Sequence, residues 1–225
     1  MSTGIVTGAS RGLGRALSQA LAARGWRLVV DARGADPLEA TWTGEPGVIA
    51  IAGDVSDPDH RRALIEAAAG PIDLIVNNAS VLGPSPQPPL AEYPLDQVRR
   101  VYEVNVMAPL ALVQLALPRL SAGAVILNVT SDAAVEPYEG WGGYGSSKAA
   151  LDQVSAILAA EQPELRVYAV DPGDMRTQLQ REAFPGEDIS DRPPPEASVP
   201  GLLALIEGDR PSGRYRAAEL AEVNA

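Results

Sequence analysis

Cysteine is absent from this 225-residue chain. That single absence excludes disulfides, thiolate nucleophiles and cysteine-ligated zinc, and no metal is expected. Histidine occurs once, as His60, and aromatic residues make up only 4%. His60 falls in Asp57-Pro58-Asp59-His60-Arg61-Arg62, at a predicted helix start, and reads as a solvated surface residue. Positive charge is scarce: 18 Lys and Arg stand against 29 Asp and Glu, for a net charge of -11. The phosphates of nucleic acid and of anionic membranes repel such a chain, so neither is expected as a partner. A local basic pocket for one small phosphate remains compatible with that balance. The start, Met1-Ser2-Thr3-Gly4-Ile5-Val6, lacks a basic segment followed by a long apolar stretch, and no apolar run is long enough to span a bilayer. The cytoplasm is the expected location.

What is present is an ordinary globular composition, with 46% hydrophobic and 21% charged residues. Short apolar runs alternate with helical patterns. The runs are Ile5-Val6-Thr7, Arg27 to Val30, Gly47 to Ile51, Ile72 to Val76, Ala124 to Val129 and Leu165 to Val170. Helical patterns lie near residues 15–24, 58–69 and 199–207, with a long helical region before Ala124. Continuous apolar strands separated by helices imply a parallel sheet covered on both faces. The fold class is therefore α/β, a Rossmann-type doubly wound parallel sheet in a single domain spanning 1–225. Residues 83–89 hold four of the 20 prolines and are expected to form a loop. Residues 178–200, charged and carrying Pro193-Pro194-Pro195, are expected to form a lid over a site.

Thr7-Gly8-Ala9-Ser10-Arg11-Gly12-Leu13-Gly14 lies between the first strand and the first helix. Glycines there permit a tight turn and let backbone N–H groups approach a pyrophosphate at the helix N-terminus. The spacing T-G-x-x-x-G-x-G differs from the G-x-G-x-x-G fingerprint and resembles the classical short-chain dehydrogenases/reductases. Gly53-Asp54-Val55 resembles that family's acidic-apolar pair, which implies that Asp54 and Val55 hold an adenine. Asn77-Asn78-Ala79-Ser80 resembles its N-N-A-G motif, with Ser80 departing from glycine, and implies that Asn77 and Ala79 line the cofactor. At the end of the second strand the family's ribose-binding acid position falls on Ala32, with Arg33 after it. Arg11 sits inside the glycine turn. Neutral Ala32, with Arg33 after it and Arg11 in the glycine turn, favours NADPH/NADP over NAD, because a 2′-phosphate needs positive partners. Asp31 falls one residue early and should face the other side of the strand.

Tyr144-Gly145-Ser146-Ser147-Lys148 opens a helical run, and residues four apart share a face. An ammonium beside a phenol is expected to lower its pKa from about 10 toward neutrality. Ser131 ends the fifth strand run, at the sheet edge where ligands collect, and its hydroxyl can hold a substrate oxygen. The resemblance implies a Ser131, Tyr144, Lys148 catalytic set with Asn105 as its fourth member, relaying protons through a carbonyl-bound water. It also implies that Pro172, Gly173 and Thr177, in Asp171-Pro172-Gly173-Asp174-Met175-Arg176-Thr177, line the nicotinamide. Asp132, Tyr138, Trp141 and Met175 are candidate substrate contacts.

The implied activity is NADPH-dependent reduction of a small, partly apolar ketone, dicarbonyl or aldehyde. In it Tyr144 donates a proton, Ser131 orients the oxygen, and Lys148 binds the ribose. The alternatives are an NAD-dependent alcohol dehydrogenase using Asp31 as ribose acid, and a catalytically idle NADP-binding regulator. An epimerase of the extended relatives would need a larger C-terminal domain. Arg61-Arg62 and Arg99-Arg100 read as exposed helix faces. The family forms dimers or tetramers through its long helices, so a homodimer or homotetramer is expected. Ala149, Leu151, Val154, Ile157 and Leu158 include an apolar surface suited to it, with burial of the same residues against the sheet as the alternative.

Overall fold

The β-branched runs do become strands. In the computed structural model, which describes residues 1–221, the strands are β1 (Thr3–Val6), β2 (Arg27–Ala32), β3 (Val48–Ala52), β4 (Ile72–Asn77), β5 (Leu120–Val129), β6 (Arg166–Asp171) and β7 (Gly213–Arg216). Residues 222–225 of the expected 1–225 domain lie outside the described residues. All neighbours pair in parallel, in the order β3-β2-β1-β4-β5-β6-β7. Strand order reverses between β1 and β4, and ligands of such sheets gather at the strand C-termini beside that reversal.

The helices are α1 (Gly12–Ala22), α2 (Ala35–Trp42), α3 (Pro58–Ala67), α4 (Leu95–Tyr102), α5 (Ala108–Ala116), α6 (Gly142–Glu161), α7 (Gln178–Ala183), α8 (Val199–Glu207) and α9 (Ala217–Ala221). Side-chain alternation sends each strand's residues to two cores. Val6, Leu28, Val30, Leu74, Val76, Leu127 and Val170 pack with α1 and α8. Ile5, Val29, Ile75, Ile126 and Val167 pack with α3 and α5 on the opposite face. Burial on both faces explains why these strands read as continuous apolar runs.

Two expectations need correction. The stretch Leu95–Arg119 is helical over 25 residues and contains an 18-residue window with mean hydropathy 1.4, so by length and composition it meets the criterion for a membrane span. About half of that window is buried, with Leu112, Val113 and Ala116 in the α3/α5 core. A π-turn, Glu103–Met107, separates α4 from α5 within it. The second correction is β7, whose Gly213-Arg214-Tyr215-Arg216 carries no apolar run. It forms because β6 offers an unpaired edge, with Val170 opposite Tyr215.

Candidate active site

The glycine turn is shaped by what crowds it. Gly8 has φ +71°, and a Cβ there would lie 2.9 Å from the Ala79 Cα. A Cβ on Gly14 would lie 2.4 Å from the Gly8 carbonyl oxygen, so α1 starts directly against the turn only because both residues are glycine. Asn78 Nδ2 donates to the carbonyls of Thr7 and Gly8 at 2.8 and 3.1 Å. Trp42 of α2 donates from below to the Ala9 carbonyl at 3.0 Å. The first turn of α1 has neither a capping side chain nor an acidic residue. Its N–H groups are thus left to an external anion.

Asn77 does not take the place expected of it. It is buried in β4 and donates its amide to Asn128 Oδ1 at 2.8 Å, away from the cleft. Strand alternation turns Asn77 inward, so Asn78 and Ala79 face the turn instead.

A cleft of about 870 Å³ runs along the C-terminal edge of the sheet. At one end it is lined by Gly8, Ser10, Arg11, Gly12, Leu13, Ala32, Arg33, Asp54, Val55 and Ala79. Arg11 and Arg33 are exposed, and among the described residues neither takes part in an ion pair. Asp54 binds Arg100 at 2.5 Å and accepts from the Ser56 amide and hydroxyl. Those hydrogen bonds and the Arg100 charge outweigh its burial and hold its carboxyl down to about 2. Arg100 therefore lines the cleft rather than an exposed helix face. Arg61 is likewise buried, donating to the Val55 carbonyl.

His60 is the clearest correction. It is buried, and its Nε2 lies 2.9 Å from Asp31 Oδ2, while Asp31 Oδ1 accepts from the Gly8 amide at 2.7 Å. One turn into α3, its side chain points inward, against Gly53 and the end of β2. A lone histidine among charged residues gave no sign of that, because its partner sits 29 positions away.

At the other end of the cleft stand Ser131, Tyr144 and Lys148. Tyr144 and Lys148 project from one face of α6, with the ammonium nitrogen 5.4 Å from the phenol ring centre. Lys148 Nζ donates to the Val129 carbonyl at 2.8 Å. Gly145 lets α6 close on the 3-10 turn Asp132–Ala134, for a Cβ there would lie 2.7 Å from the Ala133 carbonyl. Burial pushes the Tyr144 phenol above its ordinary value; hydrogen bonding to Ser131 and Ser80 opposes this, while Asp132 and Asp171 add to it. The expected lowering by Lys148 is thus overturned. Burial also brings Lys148 down to about 8, which weakens the charge meant to stabilise a phenolate.

Asn105 does not line the cleft. Fully buried in the π-turn, it accepts from the Ser80 hydroxyl and the Val81 amide and donates to the Val81 carbonyl and the Ser147 hydroxyl. It ties the loop after β4 to α6. Ser80, where the resemblance has glycine, thereby places a hydroxyl beside Tyr144.

Of the substrate candidates, Asp132, Trp141 and Met175 line the cleft and Tyr138 does not. Tyr138 is exposed and donates to Asp132 Oδ2 at 2.9 Å, while Asp132 Oδ1 accepts from the Ser131 hydroxyl at 2.9 Å. Pro172, Gly173 and Thr177 also face the cleft, and the Thr177 hydroxyl caps α7. The 178–200 segment folds back on the residue before it: Arg176 donates to the Pro193 and Ser190 carbonyls. Its Leu179, Gln180 and Glu182 line the cleft.

Sequence reasoning also missed Arg214 on β7. It donates to the Ser131 carbonyl and to Asp152 Oδ2, both at 2.9 Å, and stands 3.7 Å from Asp171. Its only sequence signal was an arginine in a weak polar segment.

A family model for short chain dehydrogenases matches residues 3–188. The benzil reductase ((S)-benzoin forming) of Saccharomyces cerevisiae is 31% identical over 214 residues, covering 88% of this chain and 79% of the relative. The D-erythrulose reductase of Gallus gallus is 34% identical over 182 residues, covering 79% and 72%. Among solved structures, a short chain dehydrogenase of Escherichia coli CFT073 complexed with NADPH superposes with a TM-score of 0.86 at 27% identity, covering 96% of each chain. The parallel sheet, the glycine turn and the gathered serine, tyrosine and lysine agree with these likenesses, and the chain belongs to the short chain dehydrogenase family.

Proposed function

We propose that this oxidoreductase is an NADPH-dependent carbonyl reductase. The observation that carries the reading is the two-ended cleft. Two unpaired arginines and an uncapped helix start lie at one end, and Ser131, Tyr144 and Lys148 at the other. The residues fit the nucleotide. Arg11 and Arg33 would take a 2′-phosphate, the α1 amides the pyrophosphate, and Lys148 the nicotinamide ribose. Both carboxylate oxygens of Asp31 are already engaged, which weakens the reading of an NAD-linked dehydrogenase. The NADPH complex of the E. coli structure adds support.

Bound NADPH supplies the hydride. Ser131 would hold the carbonyl oxygen against Tyr144, whose phenol, kept protonated by burial, would give its proton to that oxygen to complete the alcohol. Tyr144 would then be reprotonated from solvent.

At the substrate end Leu82, Trp141, Met175 and Leu179 supply apolar surface, while Asp132, Asp174 and Glu182 supply negative charge. A carboxylate substrate would be repelled there, so a neutral, partly apolar ketone or dicarbonyl fits best. The relatives named as benzil and D-erythrulose reductases agree with a carbonyl substrate. Residues 178–200 serve as the substrate lid. Exposed Leu95, Leu115 and Ile157 on α4, α5 and α6, with Met107 of the π-turn, support a homo-oligomer.

The test is cofactor-dependent turnover of neutral ketones and diketones, followed by nicotinamide absorbance. Oxidation of NADPH in preference to NADH is expected. Tyr144→Phe should lower kcat at least about 100-fold, the scale of general acid catalysis, while still binding NADPH. A wild-type protein that prefers NADH, or a fully active Tyr144→Phe, overturns the reading.

A further inference from the structure

We propose that His60 is a specificity-determining residue for the nucleotide, holding the Asp31 carboxylate beneath the glycine turn where it cannot accept from a ribose. The inference rests on the cofactor reading above and extends it to a residue outside the signature motifs.

Asp31 is the last acidic residue of β2, one position before the end of that strand. An acid at such a strand end is well placed to accept two hydrogen bonds from an adenosine ribose, and its charge repels a 2′-phosphate. Here its two oxygens are satisfied from the protein. Oδ1 accepts from the Gly8 amide at 2.7 Å, and Oδ2 lies 2.9 Å from His60 Nε2. The Asp31 main-chain carbonyl also accepts from the Ala9 amide at 2.7 Å. One residue thus clamps two successive amides of the turn. Asp31 is only 1% exposed although it borders the cleft.

The place of His60 is cut to fit. Its ring lies on the Gly53 backbone, where an added Cβ would come within 2.2 Å of Nδ1. The other acid nearby, Asp54, is turned to Arg100 and Ser56. Both carboxylates at this end are therefore engaged from within the fold, while Arg11 and Arg33 face the cleft unpaired. Removing the imidazole frees one Asp31 oxygen to accept from a ribose and leaves the carboxylate free to repel a 2′-phosphate. That change penalises a phosphorylated ribose and favours a free hydroxyl pair.

His60→Leu fills similar volume without a donor, and His60→Gln keeps one. Affinities for NADPH and NADH are measured by isothermal titration calorimetry without substrate, together with thermal melting and kcat. In His60→Leu the ratio of NADPH to NADH affinity should fall about tenfold or more, and His60→Gln should retain most of it. Adding Asp31→Asn to His60→Leu should restore the ratio, because the amide carries no charge; damage to packing would not be repaired this way. If leucine prevents folding, His60→Asn, too short to reach Asp31, carries the same comparison. A wild-type protein that prefers NADPH combined with an unchanged ratio in a folded His60→Leu overturns the inference alone. So does a ratio that Asp31→Asn fails to restore. A wild-type protein that prefers NADH overturns the cofactor reading as well.

Discussion

Lys148 shows how one buried ammonium sets both chemistry and stability. It is fully enclosed, donates to the Val129 carbonyl, and is held down to about 8 from an ordinary 10.5 because burial disfavours its charge, with Asp152 opposing. The unfolded chain therefore binds more protons than the folded one between pH 8 and 10. Stability at this site rises with pH across that window, and the full penalty is present below it. Above pH 10 the raised Tyr144 works in the opposite sense, since its unfolded phenol ionises first. Denaturant unfolding of the wild type and of Lys148→Met should reveal the difference. From about pH 7.5 to 9.5 the wild type should gain roughly 1–2 kcal/mol relative to the variant, under the limit of about 1.4 kcal/mol per pH unit. A flat difference would mean that Lys148 keeps an ordinary pKa. At this scale the shared helix face of Tyr144 and Lys148 was legible from their spacing, while their candidate role came from the family resemblance. Their electrostatics were not. The sequence places an ammonium beside the phenol, but the burial that raises one group and lowers the other comes from residues scattered along the chain.

The π-turn between α4 and α5 is an element with a structural reason to exist. One extra residue in the turn directs Asn105 inward, where its amide joins the loop after β4 to α6 through Ser80, Val81 and Ser147. Those two elements carry Ser80 and Tyr144, so the turn fixes their separation. Asn105→Ala would take their partner from the Val81 amide and carbonyl and the Ser80 hydroxyl, and remove the donor to the Ser147 oxygen. A cost of about 3 kcal/mol is expected, at roughly 1–3 kcal/mol for each buried polar group left unpaired. For a chain of this size that is a fall of about 6–12 °C in Tm, measured by calorimetry. A drop below about 2 °C would show that water replaces the amide without loss. The elements themselves were legible wherever burial imposed a period. β1, β2, β4, β5 and β6 emerge as apolar runs because both their faces pack, the edge strand β3 shows one although it is largely exposed, and α8 matches its expected range of residues 199–207. β7 and the π-turn were not legible. An edge strand of Gly, Arg, Tyr and Arg is specified by the strand it joins, and a π-turn by the partners of one asparagine.

Across the whole molecule the cleft is polarised against a net charge of -11. Arg11, Arg33 and Arg100 stand at the nucleotide end, and Asp132, Asp171, Asp174 and Glu182 at the substrate end. Burial raises the Asp171 carboxyl and Asp132 adds to it, with the Gly173 amide, Arg214 and Arg216 opposing. β7 supplies both arginines from the far edge of the sheet. Arg214 binds Asp152 and the Ser131 carbonyl at once, so the strand added last in the chain braces the serine that faces the substrate. A fork that fixes a carboxylate and a carbonyl together is something lysine cannot reproduce. Arg214→Leu should therefore displace Ser131, lowering kcat about tenfold or more, in line with the sensitivity of catalysis to small misplacements. The affinity for NADPH should change less than about threefold, because the 2′-phosphate and pyrophosphate contacts proposed for it lie at the opposite end. Arg214→Lys should recover charge but not the fork, and so regain stability in thermal melting while kcat stays low. Equal losses in cofactor affinity and kcat would instead mean that β7 supports the sheet as a whole. An unchanged kcat in Arg214→Leu would show that α6 and the 3-10 turn after Ser131 hold the serine without it.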